Sequence, residues 1–357
     1  MKIIIYLFVL TLLFCSCDAE KTQKIENTNL QTTADSTISL VVVGDVMLGS
    51  NYPSAGYLPK HSEKLLFIAS QIISNADVSF CNLEGCLLDS GGVRKDCDDS
   101  SSCYAFRQPT KTANILKNNG FDIISIANNH TNDFGKAGLE STKETLAKNN
   151  FCFAGLPSKP IDTLTVRGIK IGFTAFSAND YTLKINDYGE LEKQVKYLKS
   201  ICQIVIVSFH GGAEGNSKRH ISFETEIFLE ENRGNVNEFA HKAIDYGADL
   251  VVGHGPHVIR AAELYKGKFI AYSLGNFCTY GTFNLSGHCG NALLLNLKLT
   301  KNGNFVSAKA HSFQQKKFKS LLLDSNQKAY KDLQELTNSD FPNTGLLFKP
   351  DGLILKK

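Results

Sequence analysis

The stretch LVVGHGPHVI, residues 250–259, opens with an apolar β-branched run and then places His254 and His257 three residues apart, beside a glycine and a proline. A polar residue at a strand end next to Gly-Pro is ordinary turn chemistry. Whether two of the chain's nine histidines do more than that depends on what the other strands end in.

Upstream, from Thr37, short apolar runs alternate with stretches of helical spacing. ISLVVVGDVML, ADVSFCNLEG, FDIISIANNHTNDFG, FCFAG and CQIVIVSFHGG read as strands. KLLFIASQIIS, TKTANILKNNG, AGLESTKETLAKNN, LEKQVKYLKS and NVNEFAHKAIDYGA read as the helices between them, and TLTVRGIKIGFTAFSAND as a hairpin turning at Arg167-Gly168. Downstream, KFIAYSLGNF and NALLLNLKL are each expected to form one further strand. Near-continuous apolar strands alternating with helices predict an α/β domain with a largely buried sheet. The domain is expected to span residues 37–315. Residues 316–357 are left as a C-terminal extension of unknown role with one amphipathic helix.

Five of these strands end in polar groups. They are Asp45; Asn82 with Glu84; Asn128, Asn129, His130 and Asp133; His210 with Glu214; and His254 with His257. Ligands of α/β sheets bind at the carboxyl ends of strands, where loops and helix N-termini converge. Asp, Glu, Asn and His are the residue types that hold divalent metals through oxygen and nitrogen. Asp45, Glu84, Asn129, His210, His254 and His257 are therefore the candidate metal ligands. Their number suits two ions sharing a bridging ligand better than one. Asn129 and His130 are adjacent, so their side chains diverge. Asn129 is assigned to the metals and His130 to the substrate, as general acid or oxyanion stabiliser. Asn82, Asn128, Asp133 and Glu214 are assigned to supporting or substrate contacts. His61, His220, His241, His288 and His311 sit in helical or loop contexts and are expected to be surface or structural residues.

Composition narrows the partners. The 357 residues are 43% hydrophobic and 20% charged, with a net charge of +3 and no tryptophan. That is a globular chain, and without a basic block it is not expected to bind nucleic acid. The first residues, MKIIIYLFVLTLLFCSCDAE, carry one lysine and then an apolar stretch too short to span a bilayer comfortably. Such a stretch is the apolar core of a targeting segment. Its end, LFCSC, resembles a lipoprotein processing site, with Cys17 after the small Ser16 as the lipidated residue. Residues 1–17 are thus expected to be a lipoprotein-type signal and residues 18–36 a flexible tether. The mature chain is then an exported lipoprotein anchored in a bacterial cell envelope. In an oxidising compartment Cys97 with Cys103, and Cys278 with Cys289, are candidate disulfides, while Cys152 and Cys202 read as buried thiols. No Cys-x-x-Cys pair is present, which argues against a thiolate zinc site.

GDVMLG, NLEG, ANNHTNDFG, FHGGAEG, GHGPHV and YSLGNF, in this order, resemble the CapA family of poly-γ-glutamate capsule biosynthesis proteins, relatives of the calcineurin-like metallophosphatases. The resemblance covers residues 37–299 and implies a metallophosphatase-like four-layer α/β/β/α sandwich with its site at the strand ends. It also carries departures. Met47 stands where the metallophosphatase pattern Gly-Asp-x-His has a histidine ligand. NLEG replaces the second motif, which makes Glu84 the candidate bridging carboxylate. GHGPH has one residue more than Gly-His-x-His. The implied function is metal-dependent hydrolysis, with water attacking a phosphoester or a related acyl or amide centre. The candidate substrates are a capsular polymer, a lipid-linked precursor or a nucleotide. Mn, Fe and Zn all suit such a site. The alternative is a non-catalytic binding, assembly or export component for a poly-γ-glutamate-like anionic polymer, working beside other capsule-synthesis proteins.

Overall fold

In a computed structural model, which describes residues 37–96 and 104–357, the alternating pattern becomes two large sheets, beside two small two-stranded ones. The first begins with four parallel strands, β1 (Thr37–Met47), β2 (Val78–Leu83), β3 (Ile123–Ser125) and β4 (Cys152–Ala154), adjacent in that order. The chain then builds the second sheet from β5 (Ile161–Val166), β6 (Ile169–Ser177), β7 (Ile204–His210), β8 (Leu250–His254), β9 (Ala262–Tyr265) and β10 (Lys268–Ala271). Its spatial order is β9-β10-β8-β7-β6-β5. Finally the chain returns to the first sheet with β11 (Asn276–Thr279), β12 (Asn291–Thr300), β13 (Phe305–Gln314), β14 (Leu346–Phe348) and β15 (Leu353–Lys356). That sheet runs β14-β15-β13-β12-β1-β2-β3-β4, with β11 paired alongside the end of β1.

Alternate side chains explain why the strands read as unbroken apolar runs. Leu40 and Val42 of β1 enter the core between the sheets with Phe80, Phe173, Ile206 and Val252. Val41 and Val43 point the other way, onto α1 (Phe67–Ser74), α2 (Lys111–Asn118) and α3 (Gly135–Lys148) through Ile73, Leu116 and Leu146. On the second sheet Val205 and Val207 likewise meet α4 (Tyr188–Ile201) and α5 (Val236–Tyr246) through Leu198 and Phe239. Both faces of each sheet are covered, so period-two alternation gives way to continuous hydrophobicity. The result is the α/β/β/α sandwich implied by the family resemblance. Two of its helices are capped as the sequence allows: Asp187 and Asn235 accept the backbone N–H of Glu190 and Glu238 at 2.9 and 3.0 Å.

Several expectations change. KFIAYSLGNF is two strands in different sheets, β10 and β11, because Tyr272 to Gly275 cross from one sheet to the other. The segment after Gln315 belongs to the same compact unit, Ile38–Lys357. Residues 322–323 pair with β13, and β14 and β15 extend the first sheet. Helix α6 (Lys328–Asp340) sends Ala329, Tyr330 and Leu333 into the inter-sheet core. Both sheets and all these clusters lie within residues 37–357, so this part carries its own fold. Cys278 and Cys289 are free and buried, as are Cys81, Cys86, Cys152 and Cys202, which removes the second candidate disulfide. His311 lies in strand β13, not in a helix or loop. The signal segment, the tether, Cys17 and the Cys97–Cys103 pair fall outside the described residues.

Candidate metal centre

Strand register brings the strand-end residues together. Asp45 of β1 lies beside Asn82 of β2, and His210 of β7 beside His254 of β8. Each sheet thus contributes a polar pair, and the two pairs meet where the crossing segment passes between the sheets. A glycine precedes each of the two candidate residues nearest that segment, Asp45 and His254. A Cβ on Gly44 would lie 1.9 Å from the Gly275 carbonyl oxygen, and one on Gly253 would lie 2.2 Å from that of Tyr272. The Asp45 N–H donates to that same Gly275 oxygen at 2.9 Å. The glycines of Gly-Asp and Gly-His are therefore packing requirements.

Asp45 is the hub. It is fully buried, and its carboxylate accepts from His254 Nδ1 (3.1 Å), His257 Nδ1 (2.9 Å) and Asn82 Nδ2 (2.9 Å). The Asn82 amide also donates to Glu84 Oε2 at 2.7 Å, so one NH₂ group clamps two carboxylates. Asn128 in turn donates to Asn82 Oδ1 (3.1 Å) and accepts from the His130 N–H. Ligating atoms of Asp45, Glu84 and His210 all lie within 4.8 Å of one another. His257 is held with φ +57°, an uncommon backbone conformation for a residue other than glycine, and its Nε2 lies 3.9 Å from Glu214 Oε2.

The electrostatics match this crowding. Burial would raise the Asp45 pKa, but the two histidine hydrogen bonds outweigh it and hold the carboxyl below its usual range. For Glu84 the Asn82 hydrogen bond and the His257 charge are too weak to do the same. Burial, reinforced by the charge on Asp45, pushes it well above the usual carboxylate range. Burial pushes His210 well below the ordinary imidazole value. For His257 burial acts in the same direction, but Asp45 and Glu214 overcome it and raise the group to about 10.

The residues fit a divalent cation. Glu84 Oε1, Asn129 Oδ1, both ring nitrogens of His210 and Nε2 of His254 are buried without a hydrogen-bond partner. Buried polar atoms are rarely left unsatisfied, and four such residues on one set of strand ends, each offering one atom, call for a shared partner. A carboxylate, imidazoles and an amide oxygen suit Mn, Fe or Zn.

His130 stands beside this group. Its Nδ1 donates to Asp133 Oδ2 at 2.8 Å, and its Nε2 lies 4.0 Å from Glu84 Oε1. Burial depresses its pKa, against the pull of Asp133. Phe106 packs on it with ring centroids 4.4 Å apart. Phe106 also lines a 240 Å³ cavity together with Met47, Tyr52, Tyr57 and Tyr280.

The family described as "Bacterial capsule synthesis protein PGA_cap" matches residues 39–280, which carry all of these residues. The chain belongs to that family. It is 27% identical over 270 residues to the PGA biosynthesis protein CapA of Bacillus subtilis (strain 168), a match covering 71% of this chain and 66% of that protein. To the capsule biosynthesis protein CapA of Bacillus anthracis it is 27% identical over 266 residues, covering 67% and 59%. The chain thus spans less than two thirds of the length of either relative. Among solved structures, a hypothetical protein from Thermus thermophilus is similar at 17% identity and a TM-score of 0.48, covering 78% of this chain and 100% of that one. A 5′-nucleotidase precursor from the same organism is similar at 12% identity and 0.43, covering 84% and 58%.

Within this family member, Met47 belongs to a small apolar cluster. Its side chain packs with Phe106 and Phe283, and its Sδ accepts the Gly49 N–H at 3.2 Å. Other residues at the site gave no signal in the sequence. Lys95 pairs with Asp133 Oδ1 at 2.6 Å, and the Tyr181 hydroxyl donates to the Asn129 carbonyl at 3.0 Å. Arg233, almost fully buried, pairs with Glu214 at 3.0 Å. Arg260 has no exposed surface. It makes a two-pronged pair with Glu226 at 2.7 and 2.8 Å and also holds the Ala213 and Lys218 carbonyls. The loop carrying Glu214 is therefore pinned by a residue three positions after His257. An apolar flank such as VIRAAEL offers no hint that its arginine points inward.

Proposed function

We propose that this chain is a metal-dependent hydrolase of the cell envelope that processes an anionic capsular polymer or a phosphoester precursor of one. The observation that carries the reading is the set of unpartnered buried donors around Asp45, Glu84 and His210. Family membership supplies the pathway, capsule synthesis. Asp45, Glu84, Asn129, His210, His254 and His257 would hold the ion or ion pair. Divalent ions there supply Lewis-acid polarisation of a substrate oxygen and a water acidic enough to attack at neutral pH. The chain's own residues do the rest. Asp133 fixes the His130 tautomer by accepting from Nδ1, so Nε2 is the atom at which a proton is held or moved. Lys95 fixes Asp133 from its other oxygen. Asn82 keeps Asp45 and Glu84 apart and aligned. Phe106, packed on the His130 ring, excludes water from that side.

The first test is metal content by mass spectrometry on the full chain beside the His254→Ala, His257→Ala double variant. Metal in the wild type and its loss in the variant are expected, followed by hydrolysis of phosphoesters or polyglutamate in a screen. A wild type that stays metal-free after supply of Mn and Zn would replace the enzyme reading with polymer binding or export. His130→Ala is expected to keep the metal and lose turnover ~10²–10⁴-fold, the usual worth of a general acid or base. The same proposal places the chain outside the cytoplasm, anchored through lipid on Cys17. Labelled fatty acid should enter the wild type and not Cys17→Ala.

A further inference from the structure

We infer that residues 64–68 and 316–323 form a docking surface for an anionic lipid bilayer, a role independent of turnover at the metal centre. KKFKSLLL, residues 316–323, follows β13 and comes to lie against the start of α1. The Leu321 N–H donates to the Leu65 carbonyl at 3.1 Å, and Leu65 and Leu321 are both buried in the same cluster. What surrounds this anchor is exposed. Phe67 is 77% accessible, Leu323 64%, Phe318 46%, Ile68 43% and Leu322 41%. Lys64, Lys316, Lys317 and Lys319 are interleaved with them and are exposed as well. Neither segment contains a carboxylate. Glu63, next to the first, faces His61 at 3.2 Å, and Asp324, next to the second, is buried and accepts the Lys328 N–H at 2.8 Å.

Five large apolar side chains in water are a cost, and exposed apolar groups gathered on two segments that the Leu321–Leu65 hydrogen bond ties together mark an interaction site. Its chemistry identifies the partner. Phe, Leu and Ile reach into the boundary between headgroups and acyl chains, while lysines lay their stems along the same apolar surface and keep their ammonium groups among lipid phosphates. A cationic strip without carboxylates of its own complements an anionic leaflet. Phe318 is held at φ +59°, a conformation aromatic residues rarely adopt. Strain of this kind persists where the surroundings enforce it and clusters at functional sites. The ring of Phe318 also meets Tyr280 at 5.6 Å, and Tyr280 lines the cavity beside Met47 and Phe106. Docking through this strip therefore brings the rim of the cavity to the bilayer surface.

The test uses residues 37–357, which contain the whole fold and lack the apolar N-terminal segment. Co-sedimentation is measured with vesicles of phosphatidylcholine alone and of phosphatidylcholine with phosphatidylglycerol. Binding is expected with phosphatidylglycerol, weakening as salt is raised. Each lysine near such a surface strengthens binding about fivefold, so K316Q/K317Q/K319Q should lower partitioning about 100-fold. F67S/L323S removes two of the most exposed apolar groups and should lower it about tenfold or more. Circular dichroism and metal content should match the wild type in both variants, which separates this outcome from any failure of the metal reading. A wild type that leaves phosphatidylglycerol vesicles unbound at low salt overturns the inference. So does binding that both variants retain. Self-association abolished by the variants, with no vesicle binding, would overturn it too and assign the strip to a second copy of the chain.

Discussion

Replacing Arg260 by methionine tests how the site is held. Arg260 is fully buried and its guanidinium makes four hydrogen bonds: two to Glu226, one to the Ala213 carbonyl and one to the Lys218 carbonyl. Methionine fills much of the volume but removes every donor. Glu226 then keeps only the Ala213 N–H, at 2.9 Å, against an uncompensated buried charge. Breaking one side of a buried ion pair costs about 3–5 kcal/mol. Counting bonds gives a similar figure, since two hydrogen bonds to a charged group are each worth about 1.5–3 kcal/mol. The double variant R260M/E226L removes both charges and should recover part of that loss. It cannot recover all of it, because the buried Ala213 carbonyl stays unpaired in both variants and the Ala213 N–H loses Glu226 in the double one, at about 1–3 kcal/mol each. Urea unfolding followed by circular dichroism, with chelator present so that metal linkage is absent, reads these numbers. Metal affinity measured separately should fall about 10–100-fold in R260M, the usual effect of losing an outer support, because the pinned loop begins at His210. A loss under about 1 kcal/mol, typical of an exposed pair, would refute the reasoning, as would a double variant no more stable than the single one.

Three further substitutions probe the same geometry. Gly44→Ala puts a methyl group 1.9 Å from a backbone oxygen that no side-chain rotation can move, so a loss of about 3 kcal/mol or more is expected in thermal unfolding. Met47→Leu keeps the volume and should cost under about 1.5 kcal/mol with unchanged metal content; metal loss would make Sδ a ligand. Asp133→Asn leaves His130 without its carboxylate partner, and turnover in whichever hydrolysis assay succeeds should fall ~10²–10⁴-fold while metal is retained. Full activity in Asp133→Asn would remove His130 from the proton path.

What was legible in the sequence was local. A strand buried on both faces followed by Asp, Asn or His is a pattern within ten residues, and it located all five strand ends. The division into two sheets was not local. β1 and β7 have the same unbroken apolar character, and nothing within either says that they belong to different layers. Pairings across long separations were equally silent. Glu226 and Arg260 lie 34 positions apart, and neither stands in a context that distinguishes a buried arginine from a surface one. The tail reads in sequence as an extension of unknown role because LLF and LILK are too short to signal strands without the partner β13 that completes them. Cysteine spacing likewise says nothing about whether two thiols face each other.

YSLGNF shows the difference most clearly. As a sequence it reads as the end of one strand, KFIAYSLGNF. In the fold its first four residues, Tyr272 to Gly275, are the crossing between sheets, and their importance lies in their backbone. The Tyr272 and Gly275 carbonyls press against Gly253 and Gly44, the residues just before His254 and Asp45. The Leu274 N–H bonds the Gly253 carbonyl and the Asp45 N–H bonds that of Gly275. One short segment therefore sets the separation of the two sheets at the point where Asp45 and His254 stand. Any side chain at Gly44 or Gly253 would force the sheets apart. The distance between Asp45 and His254 is thus fixed by main-chain packing, and the histidines of GHGPH reach Asp45 because two glycines let the strands come close enough.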